Sequence, residues 1–155
     1  MARLLATGRP DLHAGRASAL HAQRARAVAR ALHYIETHLC EPTGVAQLAA
    51  AACMSRFHFA RVFRDATGAS PMAYLRRRRL ERAQALLREG RHTVSQIATD
   101  LCFFDQSHFV RSFRTATGCT PARFAAQVAS DTRTAVPRAL RHHGRSHSMS
   151  LEHHA

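Results

Sequence analysis

The chain has no lysine. All 23 of its Lys-plus-Arg cations are arginine, set against only 10 acids, for a net charge of +13. A shortage of acid this marked points to a polyanionic partner, nucleic acid before membrane. The arginine-only usage divides evenly between a GC-rich genome and selection for guanidinium chemistry. Long apolar runs are missing too: nothing approaches the ~20 apolar residues of a membrane span, and the N-terminus lacks the apolar core of a signal peptide. Four cysteines (Cys40, Cys53, Cys102 and Cys119) show no C-x-x-C spacing. That leaves a reduced, cytoplasmic setting as the default. There is no nucleophile–base pair, phosphate-binding loop or cysteine cluster for zinc, so no enzyme activity, cofactor or metal is expected.

What is present is a block written twice. The run from Ser55 to Pro71 recurs from Asp105 to Pro121 at a constant offset of 50, with His, Phe, Arg, Phe, Arg, Ala, Thr, Gly and Pro matching in place. Each copy has the form of a basic helix closed by Thr-Gly, then a new helix opened by Ser/Thr-Pro. The excess charge lies within this region as well as in the ends. Residues 28–128 hold 14 Arg and 7 acids, while the first 27 residues add +4 and the last 27 add +2.

The 155 residues, 46% of them apolar, support one ordinary domain or two very small ones. Residues 1–27 read as a basic arm, partly disordered, with some helix near Ser18–Arg30. Periodicity predicts a helix over 28–39, with Val28, Ala31, Leu32, Ile35 and Leu39 on one face. A short helix follows over Val45–Ala52. Cys53-Met54 makes a turn, and Ser55 is placed to cap the next helix, which runs to Thr67 with Phe59, Val62, Phe63 and Ala66 inward. Gly68 fits a left-handed C-cap. Ser70-Pro71 opens a long helix to Glu89.

The pattern then repeats. Thr93 to Gln96 has the form of a capping box. Val94, Ile97, Ala98 and Leu101 point inward, and Cys102-Phe103-Phe104 form a turn capped by Asp105. The second basic helix buries Phe109, Phe113 and Ala116, and Pro121 opens a last short helix to Val128. Val45 matches Val94 at an offset of 49, so the second turn is one residue longer. Residues 129–155 read as a disordered tail.

Helix, short turn and basic helix is the pattern of a helix-turn-helix, whose second helix enters the DNA major groove. The chain thus reads as all-α: two helix-turn-helix subdomains, 28–70 and 91–128, joined by a central helix over 71–89. At this point it resembles the C-terminal DNA-binding domain of the AraC/XylS family of transcription regulators. The resemblance covers residues 28–128. It is carried above all by Ile97-Ala98, Phe103, Asp105-Gln106-Ser107-His108-Phe109, Arg111, Phe113-Arg114 and Thr117-Gly118 through Pro121.

The resemblance implies about seven helices and two recognition helices, Ser55–Thr67 and Asp105–Thr117, in successive major grooves of double-stranded DNA. It implies base reading by Phe57, Ala60 and Arg61 in the first unit and by Gln106, Ser107, Val110 and Arg111 in the second. Phosphate contacts fall on Arg56, Arg64 and Arg114. The implied assembly is a monomer on DNA with RNA polymerase as a protein partner. The run Arg76–Arg79 divides evenly between a solvated face and phosphate contact. Nonspecific nucleic-acid binding is the alternative to sequence-specific regulation.

Three features depart from the family pattern. Cys53 and Cys102 stand where glycine is usual, and inert, buried thiols are the expected reading. Phe104 stands where a small or polar residue belongs. Too few residues precede Val28 for an effector-binding domain, which implies either a stand-alone regulator or a truncated one. His58 and His108 point to packing, capping or phosphate contact, and the tail histidines His142, His143, His147, His153 and His154 to a solvated tail.

Overall fold

A computed structural model describes residues 11–134. They form seven helices and, among the described residues, no strand: α1 Asp11–Thr37, α2 Val45–Ala51, α3 Arg56–Thr67, α4 Pro71–Glu89, α5 Val94–Asp100, α6 Gln106–Thr117 and α7 Pro121–Thr134. The all-α architecture with two helix-turn-helix units on a central helix is as the sequence implied.

There are two cores, and α4 belongs to both. Its N-terminal half lends Leu75 to a cluster with Ala31, Ile35, Leu48, Phe59 and Phe63. Its C-terminal half lends Leu80, Ala83, Leu86 and Leu87 to a cluster with Ile97, Leu101, Phe109 and Phe113. One rigid helix with an apolar contribution at each end therefore sets how the two units sit on each other.

The duplication extends into the packing. Phe59 tilts against Phe63, and Phe63 meets the edge of Tyr74 at 5.5 Å between ring centroids. Phe109, Phe113 and Phe124 repeat the arrangement, the last pair at 5.6 Å. Tyr74 and Phe124 are themselves 50 residues apart. The helix ends repeat too. Thr67 Oγ1 donates to Phe63 O, and Thr117 Oγ1 to Phe113 O, at 2.8 and 2.9 Å. Gly68 and Gly118 then close α3 and α6 with φ of 74° and 81°. A side chain is disfavoured in that left-handed region, which is why Thr-Gly marks both ends.

Both turns are Schellman motifs. After α2, Cys53 N–H donates to Ala50 O and Met54 N–H to Ala49 O; after α5, Cys102 N–H donates to Thr99 O and Phe103 N–H to Ala98 O. Such a motif places its C′ residue in the left-handed region. Cys53 and Cys102 occupy it, with φ of 55° and 54°. The expectation of buried thiols fails: Cys53 is exposed and Cys102 half-buried. The position is set by backbone geometry and lies outside both cores, and the Cys102 thiol donates to Cys40 O at 3.3 Å. Met54 and Phe103 are equivalent in this bonding, so Phe104 is the extra residue of the longer second turn.

This geometry gives a stability prediction. Glycine at both cysteine positions relieves the left-handed penalty while costing some unfolded-chain entropy. Cys53→Gly and Cys102→Gly are each expected to stabilise by about 0.5–1 kcal/mol, read as a rise in the midpoint of urea unfolding. A fall in that midpoint would show that the thiols contribute more than their backbone costs.

Several boundaries differ from the sequence reading. The first helix begins at Asp11 rather than Val28 and ends at Thr37 rather than Leu39. Its buried face starts only at Ala27. Residues 15–26 are exposed apart from the half-buried Ala22 and carry no core-facing stripe, but Ala and Arg are strong helix formers and favour helix there by propensity. The last helix runs to Thr134 rather than Val128, with Ser130 Oγ donating back to Ala126 O at 2.8 Å. Ala66 and Ala116 are exposed rather than inward. They lie in the last turn of α3 and α6, past the reach of the core. The remainder of the expected arm and tail, residues 1–10 and 135–155 with the tail histidines, lies outside the described residues.

Candidate nucleic-acid interface

The two basic helices are held by their phenylalanines and present their other faces to solvent. Phe59, Phe63, Phe109 and Phe113 are completely buried. On the outer faces, Arg56, Phe57 and Arg61 of α3 and Gln106, Ser107 and Arg111 of α6 are exposed, as are Arg64 and Arg114. Ala60 and Val110 are half-buried, and Val110 packs against the second core. The structure therefore brings five of the seven expected base-reading side chains into the open and leaves two at the edge of the core.

The N-termini of these helices differ. Asp105 Oδ1 accepts the His108 N–H at 2.5 Å and caps α6, whereas Ser55 holds the N-cap position of α3 without a side-chain hydrogen bond. His108 is half-buried with its ring edge toward Phe103, 5.8 Å between centroids, and its Nδ1 lacks a hydrogen-bond partner. Phe57 and Phe104 are 93% and 92% exposed. One lies in the first turn of α3 and the other just before the cap of α6.

The arginines fall into two groups. One group is spent within the protein. Arg30 donates to Ala51 O and Ala52 O at the end of α2. Arg78 pairs with Glu36 at 2.7 Å and with Glu81, and Arg77 sits over the Tyr74 ring and near Glu81 at 3.8 Å. Arg82 and Arg91 flank Glu89. The hydrogen bond from Arg78 holds the Glu36 carboxyl below its ordinary value. That pair therefore contributes at neutral pH and loses its contribution as pH falls through the lowered value, modestly because both groups are largely solvated.

Arg79 also belongs to this group, and it is buried. Its Nε donates to Leu39 O at 2.9 Å, Nη2 to Glu41 O at 2.6 Å and Nη1 to Cys102 O at 3.3 Å. One guanidinium thus joins the loop after α1 to the turn before α6. Burial pulls its pKa down from the ordinary value, yet guanidinium stays charged at any physiological pH. Neither reading of the Arg76–Arg79 run, solvated face or phosphate contact, holds for this residue: its head is a clamp between the two units.

The second group has no side-chain hydrogen bond or ion pair among the described residues: Arg16, Arg24 and Arg26 on α1, Arg56, Arg61 and Arg64 on α3, Arg76 on α4, Arg111 and Arg114 on α6, and Arg123 on α7. Five of these ten lie on the second helices of the two turns, and Arg76 is the one on α4. Unpaired guanidiniums held side by side repel one another unless an anion takes them up. No set of three or more His, Cys, Asp or Glu capable of holding a metal ion occurs among the described residues, and none of their helices is long and apolar enough to cross a membrane.

Two helix-turn-helix units with exposed basic second helices on one connecting helix define a DNA-binding domain of transcription regulators. The chain belongs to the AraC/XylS family of such regulators. A family model described as a helix-turn-helix domain matches residues 48–127. Over 72 residues the chain is 36% identical to the probable transcriptional regulator LumQ of Photobacterium leiognathi, covering 46% of this chain and 29% of that protein. Over 75 residues it is 36% identical to the right origin-binding protein of Escherichia coli (strain K12), covering 48% of this chain and 26% of that one. The chain thus spans well under two thirds of the length of these curated relatives. Among solved structures it is similar to the DNA-binding domain of AdpA in complex with a target DNA. There the identity is 31% and the TM-score 0.66, with 70% of this chain and 97% of that one covered. An AraC-type regulator from Chromobacterium violaceum is similar at 28% identity and a TM-score of 0.64, with 70% and 96% covered.

Proposed function

We propose that this protein is a sequence-specific regulator of transcription that binds double-stranded DNA by inserting α3 and α6 into two successive major grooves on one face of the duplex. The observation that carries the reading is the partition of arginine: every arginine of α3 and α6 is unpaired, while those of the central helix α4 are, Arg76 apart, engaged within the protein. On this reading Arg61 and Arg111 pair with guanine edges, and Gln106 with adenine. Ser107 donates to either, and Phe57 and Val110 contact thymine methyl groups. Ala60 donates nothing, so the first unit depends on Arg61 and apolar contact. Arg56, Arg64 and Arg114 hold phosphates and fix the register.

The protein acts as a monomer on an asymmetric site, in the cytoplasm, with RNA polymerase as the partner through which a bound regulator affects transcription. The similarity to a domain solved on its target DNA supports the mode of binding. The test is selection from random duplex DNA at about 150 mM salt. Enrichment of two short motifs about one helical turn apart supports reading by both helices. Binding without enrichment favours nonspecific attachment.

A further inference from the structure

We propose that Arg76 of the central helix is a third DNA contact, gripping phosphates that border the minor groove between the two major grooves. The proposal rests on the binding mode above, and its argument begins with the run Arg76-Arg77-Arg78-Arg79. The fold has assigned three of these four residues elsewhere. Arg79 is a buried clamp, Arg78 belongs to Glu36 and Glu81, and Arg77 lies over Tyr74 near Glu81. Arg76 is exposed and has no partner among the described residues.

Its surroundings supply the second observation. Ala73, Arg76, Arg77, Leu80 and Gln84 form one stripe on α4 at helical spacing. They make one wall of a groove of about 580 Å³ whose other wall is Arg111, Ser112 and Thr115 of α6. Arg76 therefore opens onto the same groove as a principal reading residue of the second recognition helix. The one acid lining this groove, Glu81, is engaged by Arg77 and Arg78. The groove is thus left with two uncompensated guanidiniums and no free carboxylate.

DNA geometry then names the ligand. Two successive major grooves on one face of a duplex are separated by a minor groove with phosphates along both rims. The segment joining the two recognition units must cross that gap, and here it is α4. A 19-residue helix is about 28 Å long, close to one turn of DNA at about 34 Å. Arg76 lies in its second turn, on the stripe facing the α6 groove. A phosphate contact there carries no base information.

The test compares wild type, Arg76→Ala and Arg78→Ala by fluorescence anisotropy across a salt series. Each is titrated with a selected duplex and with a scrambled one. Arg76→Ala is expected to weaken both duplexes by a similar several-fold factor. It should also reduce the slope of log K against log[salt] by about 0.9. Arg78→Ala removes the same charge two residues away but should leave the slope as in wild type. The proposal is overturned if Arg76→Ala keeps the wild-type slope, if its loss is confined to the selected sequence, or if Arg78→Ala lowers the slope equally. Failure to select any motif counts against base reading alone, because the slope can still be read on a scrambled duplex. Absence of duplex binding by wild type overturns both.

Discussion

Arg79→Ala is expected to destabilise the protein by about 2–3 kcal/mol and to loosen the spacing that its DNA site requires. Three hydrogen bonds from a charged donor are lost, and each is stronger than a neutral one. Part of the loss is recovered because water can reach the freed carbonyls of Leu39 and Glu41, whose loop is only partly covered. The larger consequence is geometric. The apolar contacts of α4 hold each unit separately, whereas Arg79 joins the loop after α1 directly to the turn before α6.

Without that clamp the units remain folded but pivot more freely on the central helix. The expected signature is a fall in melting temperature of roughly 10 °C with broader tolerance of spacer length between the two motifs. Lysine should restore less than half of the lost stability, since a single ammonium cannot replace the guanidinium fork toward three separated carbonyls. A variant with wild-type stability and wild-type spacer preference would show that the apolar cores alone fix the arrangement.

Arg111→Ala should leave stability within about 0.5 kcal/mol, because the side chain is exposed and unpaired. Its effect is expected on DNA. Loss of one bidentate contact to a guanine costs about 1–3 kcal/mol, roughly 5- to 150-fold in affinity, and relaxes preference at one base pair. Arg111→Lys should not rescue, as an ammonium does not match the paired acceptors of guanine. The measurement is a competition series with all four base pairs at each position of the second motif. Uniform weakening across every sequence would assign Arg111 to phosphate and move the reading role to Gln106 and Ser107.

Much of this architecture is legible in the sequence because its markers are local. Thr-Gly and Ser/Thr-Pro punctuate the helices, and phenylalanines at i and i+4 mark the inner faces of α3 and α6. The capping box at Thr93 forms as its spacing suggests, with Gln96 accepting from the Thr93 N–H at 2.8 Å. Even the change of offset from 49 to 50 identifies a real feature, the extra and exposed Phe104. The ends of the domain are less legible. Residues 15–26 of α1 are largely exposed and carry no apolar stripe for periodicity to detect.

The fate of the arginines was not legible at all. Arg76 to Arg79 are identical letters, and the roles of Arg78 and Arg79 follow from what lies 38 to 42 residues earlier or 23 later in the chain, at Glu36, Leu39, Glu41 and Cys102. Whether an arginine is spent inside the fold or free for DNA is a tertiary property. The left-handed backbone at Cys53 and Cys102 was legible only through comparison with the glycine usual there.

The most direct test of two coupled recognition helices is a phasing experiment on the selected duplex. Five base pairs, about half a helical turn, are inserted between the two motifs, and affinity is compared with that of the parent site and of each motif alone. Rigid coupling through α4 and Arg79 predicts that the inserted site binds no better than the stronger single motif, since the second groove then faces away. Parent-like affinity on the inserted site would contradict the simultaneous insertion of α3 and α6 into successive major grooves.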